Sequence, residues 1–369
     1  IGMVMVIIIG HIDLAVGSVA AFVGIVVAIA MRDWGFPWWA GILLGLVIGA
    51  VCGAGRGFWG ACMGIPGFIG ALAGYMFFRV ADQFIGKSLT VPVPKEFQFI
   101  GAGYLPEWGP NTGMNNSTLL LGLVSIVLLA WLQLRQRQAQ VKVGGDVPPM
   151  WVTGARIGLL AVVLGWLTWM FGSGRPGTSF PVPGLILVAL VILYSFVTQR
   201  TVTGRHIYAV GGNRLAAELS GVNTKRTYFL VMLNMSVLAA FAGMMFVARS
   251  TASGPFDGVG WELDAIAAVF IGGAAVSGGV GTVIGSIIGG LVMAVLNNGL
   301  QLMSAGSDVT QMIKGLVLLA AVALDVWQKR QGRASISGLI FRGKDAKSVT
   351  PAETALVEDQ ATTNPTDAR

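Results

Sequence analysis

Side chains suited to catalysis or to metal binding are sparse in this chain. It has two histidines, His11 and His206, far apart in the sequence, and two cysteines, Cys52 and Cys62, without metal-ligand spacing. It contains no G-x-x-x-x-G-K-[ST] phosphate-binding loop, no H-E-x-x-H and no G-x-S-x-G. We therefore predict no catalytic residue, no metal site, no disulfide and no bound cofactor, and we interpret both cysteines as packing residues.

Polar residues inside apolar runs suggest a different chemistry, the passage of a solute through a membrane. Candidates for the lining of a translocation path are Asp13, Asn234, Asn297, Asn298 and Gln301. Neutral amides suit an uncharged, hydroxyl-rich solute, but hydrogen bonds between helices would explain the same residues. Asp13, in the segment GHIDLAVGS, either lies at a break in a helix or caps the helix that follows.

Three acidic residues that are close together in the sequence lie in or beside one loop, and we consider two functions for them. Asp257, Glu262 and Asp264 could contact a protein that delivers the solute. Glu262 and Asp264 also stand at the start of a predicted helix, where the helix dipole stabilises negative charge.

The polar loop 200–226 contains a pattern typical of a short capped helix. Asn213 is a good N-cap, a helix is predicted from Arg214 to Ser220, and Gly221 is a typical C-terminal stop. Leu215 and Leu219 would lie on one side of that helix, ready to dock. Such a helix could receive force from a soluble partner or simply lie on the membrane surface.

The composition sets the environment in which these residues act. Of 369 residues, 54% are apolar and 11% are charged, and the mean hydropathy is +0.75. A soluble domain carries about 25% charged residues, so we predict an all-α, polytopic transmembrane bundle within a lipid bilayer. The net charge of +7 does not indicate nucleic acid, because the basic residues cluster at the ends of apolar runs.

About ten spans are predicted after a partial one. The first apolar run, 1–10, is too short to cross a membrane, so we expect a segment before Ile1. The predicted spans lie near 14–31, 37–58, 66–86, 117–134, 153–172, 181–197, 228–247, 264–279, 282–303 and 308–327. These belong to one domain, 1–330, and the polar tail 331–369 is predicted to be cytoplasmic and disordered.

Lysine and arginine predict the orientation of the bundle. They cluster in three loops, around 135–142, 200–226 and 329–347, which the positive-inside rule places in the cytoplasm. An even number of predicted spans separates these loops, so the three assignments agree with one another.

Glycines recur every fourth residue along two of the predicted helices. One set is Gly41, Gly45, Gly49, Gly53 and Gly57, and the other is Gly281, Gly285 and Gly289. Residues four apart share a helix face, so each set forms a groove without side chains. Close packing within the subunit, a dimer contact and a moving gate are all compatible with this pattern.

Four segments together carry a family resemblance. GHIDLAVGS, GRHIYAVGGNRLAAELSGV, WELDAIAAVFIGGAAVSGGVGTVIGS and LNNGLQLM with IKGLVLLAAVALDV resemble, in the same order, the ribose/xylose branch of ABC importer permeases. The resemblance covers residues 1 to about 330 and is greatest to the xylose-type, or multiple-monosaccharide, members. One departure is His11, where the family usually has glycine.

The resemblance implies a homodimer in the bacterial inner membrane, driven by a cytoplasmic ABC ATPase that binds ATP and supplied by a periplasmic sugar-binding protein. It also implies that the ATPase contacts the following residues: Gly204, Arg205, Gly212, Asn213, Arg214, Ala216, Ala217, Glu218, Leu219 and Gly221.

Other functions remain as alternatives. Related permeases carry nucleosides or branched-chain amino acids. An ion-coupled secondary transporter would need intramembrane carboxylates, for which Asp13 and Asp325 are the candidates. A membrane scaffold would not need interrupted helices.

Overall fold

A computed structural model describes residues 1–110, 113–142, 149–174 and 179–330, apart from the side chains of Asp325 and residues 328–330. The predicted tail 331–369 lies outside these ranges. The helices are α1 (Gly2–Ile8), α2 (Val16–Asp33), α3 (Trp38–Ala61), α4 (Gly67–Ile85), α5 (Lys95–Ala102), α6 (Asn116–Lys142), α7 (Met150–Gly172), α8 (Val182–Arg200), α9 (Val202–Gly212), α10 (Arg214–Leu219), α11 (Thr224–Ser250), α12 (Trp261–Ile271), α13 (Val283–Leu302) and α14 (Ser307–Arg330).

Nine helices in the described ranges are long and apolar enough to cross a membrane, namely α2, α3, α4, α6, α7, α8, α11, α13 and α14. The prediction of an all-α transmembrane bundle is confirmed. The predicted span 264–279 differs: α12 has only 11 residues. At 1.5 Å per residue it covers about 16 Å, roughly half of the hydrocarbon core.

Proline sets the start of five helices. Pro37, Pro66, Pro94, Pro149 and Pro181 each occupy the N-cap position, of α3, α4, α5, α7 and α8 respectively. Proline has no N–H to leave unpaired there, and its ring pushes the preceding residue out of the helical region. Each proline therefore separates its helix from the segment before it.

The first glycine stripe packs α3 against α11. A Cβ added to Gly49 would lie 2.5 Å from Cβ of Ala240, and one added to Gly53 would lie 2.6 Å from Cα of Leu233. At Gly57 the added atom would lie 2.9 Å from the ring of Phe229, which is in the same helix α11. The stripe therefore serves close packing within the subunit.

The second glycine stripe packs α13 against α12. A Cβ on Gly289 would overlap the backbone of α12 at Ala268, and one on Gly285 would overlap the backbone of Gly272, the residue that follows α12. This contact lets the short helix α12 lie directly against a full-length helix.

Two irregular segments interrupt the helices. Residues 9–15 separate α1 from α2, and residues 272–282 separate α12 from α13. We call them the first break and the second break. In the second break, Gly273, Gly278 and Gly279 have positive φ angles of 86°, 80° and 74°.

At the end of the bundle opposite α10, two loops are tied together. Strand β1 (Val91–Pro92) pairs antiparallel with β2 (Ala252–Ser253). Phe97 of α5 is fully buried beneath them. These contacts fix the loop that leads into α12.

Candidate functional site

The segment between α8 and α11 folds into two capped helices. Thr201 Oγ1 accepts a hydrogen bond from the backbone N–H of Gly204 at 3.2 Å and caps α9. Asn213 ends α9, and its Oδ1 accepts from the N–H of Ala216 at 3.0 Å to cap α10. Gly221 has a φ of 83°. The predicted cap at Asn213 and the predicted stop at Gly221 are confirmed.

The short helix α10 presents apolar side chains to its surroundings. Leu215 is 68% exposed and Leu219 is 82% exposed, one turn apart, whereas Ala217 faces inward. Arg214 Nε donates to Glu218 Oε1 at 3.2 Å, although both side chains are exposed. The helix is held in place by its caps and by Ala217, and it leaves an apolar pair free to contact a partner.

A hydrogen bond joins α10 to the start of α11. Thr224 Oγ1 donates to Glu218 Oε1 at 2.6 Å. This hydrogen bond, together with the one from Arg214, holds the pKa of Glu218 below its ordinary value. Glu218 therefore connects α10 to the first residue of α11.

The remaining residues predicted to contact an ATPase divide by exposure. Gly204 is buried, and a Cβ there would overlap the end of α8 at Thr198. Arg205, Gly212 and Ala216 are exposed. Their contact with an ATPase stays a prediction.

The first break contains a buried ion pair that sequence reasoning missed. Asp13 is fully buried, its Oδ1 accepts a hydrogen bond from the backbone N–H of Ala15 at 2.9 Å, and Arg56 of α3 pairs with the same oxygen. Arg56 also donates to Ser236 Oγ of α11 at 3.2 Å. A guanidinium inside the glycine-rich apolar run of α3 was the available signal, because such a charge requires a partner.

A second intramembrane ion pair joins the last three helices. Lys314 Nζ of α14 lies 2.8 Å from Asp264 Oδ2 of α12. Asn297 of α13 donates to the same oxygen at 3.2 Å. Lys314 was also missed, and a lone lysine in an apolar helix was the signal for it.

Asp257, another acid of the predicted delivery surface, also makes internal contacts. Asp257 Oδ2 accepts from the N–H of Gly254 at 2.8 Å, and its carbonyl accepts from Arg79 of α4. Burial raises the pKa of Asp257. Glu262 is 9% exposed. Contact of Asp257, Glu262 and Asp264 with a delivery protein stays a prediction.

The polar path candidates fall into two groups. Asp13, Asn234 and Asn297 bond within the subunit, and Asn234 accepts from the hydroxyl of Tyr194 of α8. Asn298 and Gln301 are exposed on α13. These two amides are free to face a solute or a second subunit.

His11, which departs from the family pattern, lies in the first break. Its ring meets the ring of Tyr228 edge-on, with centroids 4.9 Å apart. A Cβ on Gly67 at the start of α4 would lie 2.6 Å from His11 Nδ1. The imidazole therefore fills a space between α4 and α11 at the α10 end of the bundle.

The chain as a whole matches one protein family. Residues 1–322 match the model described as the permease component of the branched-chain amino acid transport system. The chain belongs to this permease family. Its members are transport subunits and are not themselves catalytic, which agrees with the sparse chemistry noted above.

Individual relatives narrow the comparison. The permease is 37% identical over 332 residues to the xylose transport system permease protein of Haemophilus influenzae, covering 90% of this chain and 86% of that one. Identity to the corresponding Escherichia coli K12 protein is 36%, covering 90% and 82%. The ribose import permease protein of Escherichia coli K12 is 40% identical over 165 residues, 45% of this chain and 50% of that one. No solved structure matches the permease. The predicted resemblance to monosaccharide importer permeases is confirmed.

Proposed function

We propose that this permease is the membrane-spanning subunit of an ATP-driven importer that moves xylose or a similar monosaccharide across the bacterial inner membrane. Similarity to xylose permeases over 90% of the chain supports a sugar as cargo. The family supports the role of a translocation subunit without an ATPase of its own.

The exposed apolar pair on α10 is the observation on which the partner assignment rests. Leu215 and Leu219 project from a helix whose ends are fixed by Asn213 and Gly221. A rigid, capped helix with a free apolar face suits insertion into a cleft of a cytoplasmic ABC ATPase, which would bind the ATP. A periplasmic sugar-binding protein would deliver the sugar to the opposite end.

A homodimer would provide the translocation path. Asn298 and Gln301 are exposed on α13, and exposed amides in an apolar helix are unfavourable against lipid. We propose that two copies face each other with these amides toward the path, where they hydrogen-bond to sugar hydroxyls.

Matched substitutions test the path. Asn298→Leu should lower the rate of sugar import several-fold while the unfolding free energy stays constant. Asn297→Leu should instead lower stability, because Asn297 bonds to Asp264 inside the subunit. Unchanged import by Asn298→Leu with full expression would contradict a path along α13.

A branched-chain amino acid is the second candidate cargo, favoured by the description of the matching family. Uptake of radiolabelled xylose and of radiolabelled leucine by the reconstituted importer, measured separately, distinguishes the two. Uptake of leucine without uptake of xylose would favour the second candidate.

Ion coupling through Asp13 fits the structure less well than ATP-driven import does. It requires an intramembrane carboxylate available to a cation, yet Asp13 is fully buried and paired with Arg56. The side chain of Asp325, the other carboxylate considered, lies outside the described residues.

Reconstitution tests the function directly. The permease, the ATPase and the binding protein would be placed in proteoliposomes, and xylose uptake would be measured with ATP and with a non-hydrolysable analogue. We expect uptake only with ATP. Uptake that continues without hydrolysis, or that follows a proton or sodium gradient, would refute the proposal.

Orientation is tested by labelling. The exposed Cys62 is first replaced by Ser. In that variant, the cysteine of Arg214→Cys should react with a membrane-impermeant maleimide only in inside-out vesicles. Reaction from the outer face of intact cells would overturn both the topology and the assignment of α10 to an ATPase.

A further inference from the structure

Three segments of backbone meet directly beneath the capped helices. The Gly279 N–H of the second break donates to the carbonyl oxygen of Ile8, the last residue of α1, at 2.8 Å. A Cβ added to Gly211, near the end of α9, would overlap that same oxygen and lie 2.8 Å from Gly279 N. A Cβ on Gly278 would lie 3.0 Å from the Ile8 oxygen and 3.1 Å from the Gly211 oxygen. We call Ile8, Gly211, Gly278 and Gly279 the glycine junction.

A side chain one turn earlier on α9 makes a second contact with the same break. Tyr208 Oη donates to the carbonyl oxygen of Gly281 at 2.7 Å. Tyr208 and Gly211 are three residues apart and share a face of α9. This face therefore holds the second break at two points, one through a hydroxyl and one through backbone packing.

The junction is separated from α10 by very little chain. Helix α9 ends at Gly212 and α10 begins at Arg214, so Asn213 alone lies between them. Asn213 belongs to the caps of both helices, which limits independent rotation. A displacement of α10 is therefore passed to the end of α9.

Where two backbones are in contact, a displacement of one is passed to the other and is not absorbed by side-chain motion. A rotamer change can absorb a shift at an ordinary side-chain contact, whereas close-packed backbone has no such freedom. Movement of Gly211 must move Ile8 and the turn at Gly278, or break the Gly279 hydrogen bond.

We propose that the glycine junction couples α10 to both intramembrane breaks at once, with Gly211 and Tyr208 as positioning residues for transport. The inference rests on the proposed function, in which α10 receives the movement of an ATPase. Ile8 leads into the first break and toward Asp13, while Gly278 and Gly279 lie in the second. One movement of α9 thereby shifts both interrupted regions of the bundle together.

Substitution of Gly211 tests the junction. In proteoliposomes with ATPase and binding protein, Gly211→Ala should retain ATP hydrolysis but import at least tenfold less sugar per ATP hydrolysed. The control is Gly70→Ala in α4, where an added Cβ meets nothing within 4 Å, and it should keep the wild-type ratio within twofold. Equal ratios for the two variants would overturn the junction.

Tyr208→Phe provides a gentler test if Gly211→Ala fails to fold. It removes the hydroxyl that bonds to Gly281 and leaves the ring. Import per ATP should fall several-fold while the hydrolysis rate is kept, and a wild-type ratio would overturn the junction.

A measurement that does not involve sugar transport tests this inference separately from the proposed function. Hydrogen exchange at the Gly279 amide should be protected in the wild type and in Gly70→Ala, and should accelerate at least tenfold in Gly211→Ala. Unaltered exchange at the Gly279 amide in Gly211→Ala would overturn the proposed role of the glycine junction. Failure of the wild type to import sugar, with exchange behaving as expected, would instead refute only the proposed function.

Discussion

Replacement of Arg56 by Met should be among the most destabilising single changes in the permease. Arg56 is the ionic partner of Asp13, whose side chain has no exposed surface. Methionine keeps the unbranched apolar stem and has no charge, so it removes the guanidinium. The carboxylate of Asp13 then keeps only the N–H of Ala15 at 2.9 Å.

The expected cost follows from the burial of both groups. Breaking a buried ion pair by removing one partner costs about 3–5 kcal/mol, because the other charge is left uncompensated. Loss of the hydrogen bond to Ser236 adds about 1 kcal/mol. At about 1.4 kcal/mol per tenfold, the ratio of folded to unfolded protein should fall by about three to four powers of ten.

The assay is reversible unfolding in mixed micelles, with helicity followed as the denaturing detergent increases. Four proteins are compared, namely wild type, Arg56→Met, Asp13→Asn and the double variant. The double variant should recover most of the loss seen in Arg56→Met, since it leaves no buried charge. Arg56→Lys retains the charge and should be intermediate.

Two outcomes would refute this reasoning. A cost below about 1 kcal/mol for Arg56→Met would be typical of a solvated pair rather than a buried one. Strictly additive costs in the double variant would mean that Asp13 and Arg56 are not coupled.

Three further predictions concern stability and pH. Gly53→Ala should lower the free energy of unfolding by about 1–3 kcal/mol, because its Cβ would meet backbone of α11. Gly55→Ala, with open space around the added Cβ, should be neutral or slightly stabilising. Equal effects of the two substitutions in the same detergent assay would contradict the prediction that the glycine stripe is needed for packing. Lys314→Met should cost about 2 kcal/mol by leaving Asp264 with a single neutral partner, and Lys314→Arg should recover part of that loss. The pKa of Glu218 is lowered in the folded state, so the stabilisation that Glu218 gives to α10 is present above an ordinary glutamate pKa of about 4.3. That stabilisation is lost as pH falls through the lower pKa of the folded state. Carbon NMR of the labelled carboxyl measures the pKa of Glu218, and an ordinary value would contradict the prediction.

Much of the architecture could be predicted from periodicity and composition. Apolar runs placed most helices and basic loops predicted their orientation, because membrane helices must satisfy their own backbone hydrogen bonds and are therefore continuous in sequence. The exception was the span predicted at 264–279, where hydropathy does not distinguish the 11-residue helix α12 from the apolar loop that follows it.

Some features of the candidate site could be predicted from the sequence, and others could not. The caps at Asn213 and Gly221 were evident because capping depends on residues three or four positions apart. The pairs Asp13–Arg56 and Asp264–Lys314 were not predicted, because each joins residues more than 40 positions apart.

The sequence by itself determined that this chain is a helical membrane bundle with a capped helix at one end, since hydropathy, charge and capping are local properties. Its resemblance to a known family indicated a permease. The tertiary structure alone decided which charges are paired, which glycines face another helix, and that the end of α9 meets both the last residue of α1 and the second break. These are contacts between distant segments, and they depend on how the helices are rotated and stacked. Glycine has no side chain to indicate in advance what will pack against it, so Gly211 acquires its meaning only when the Ile8 carbonyl lies beside it.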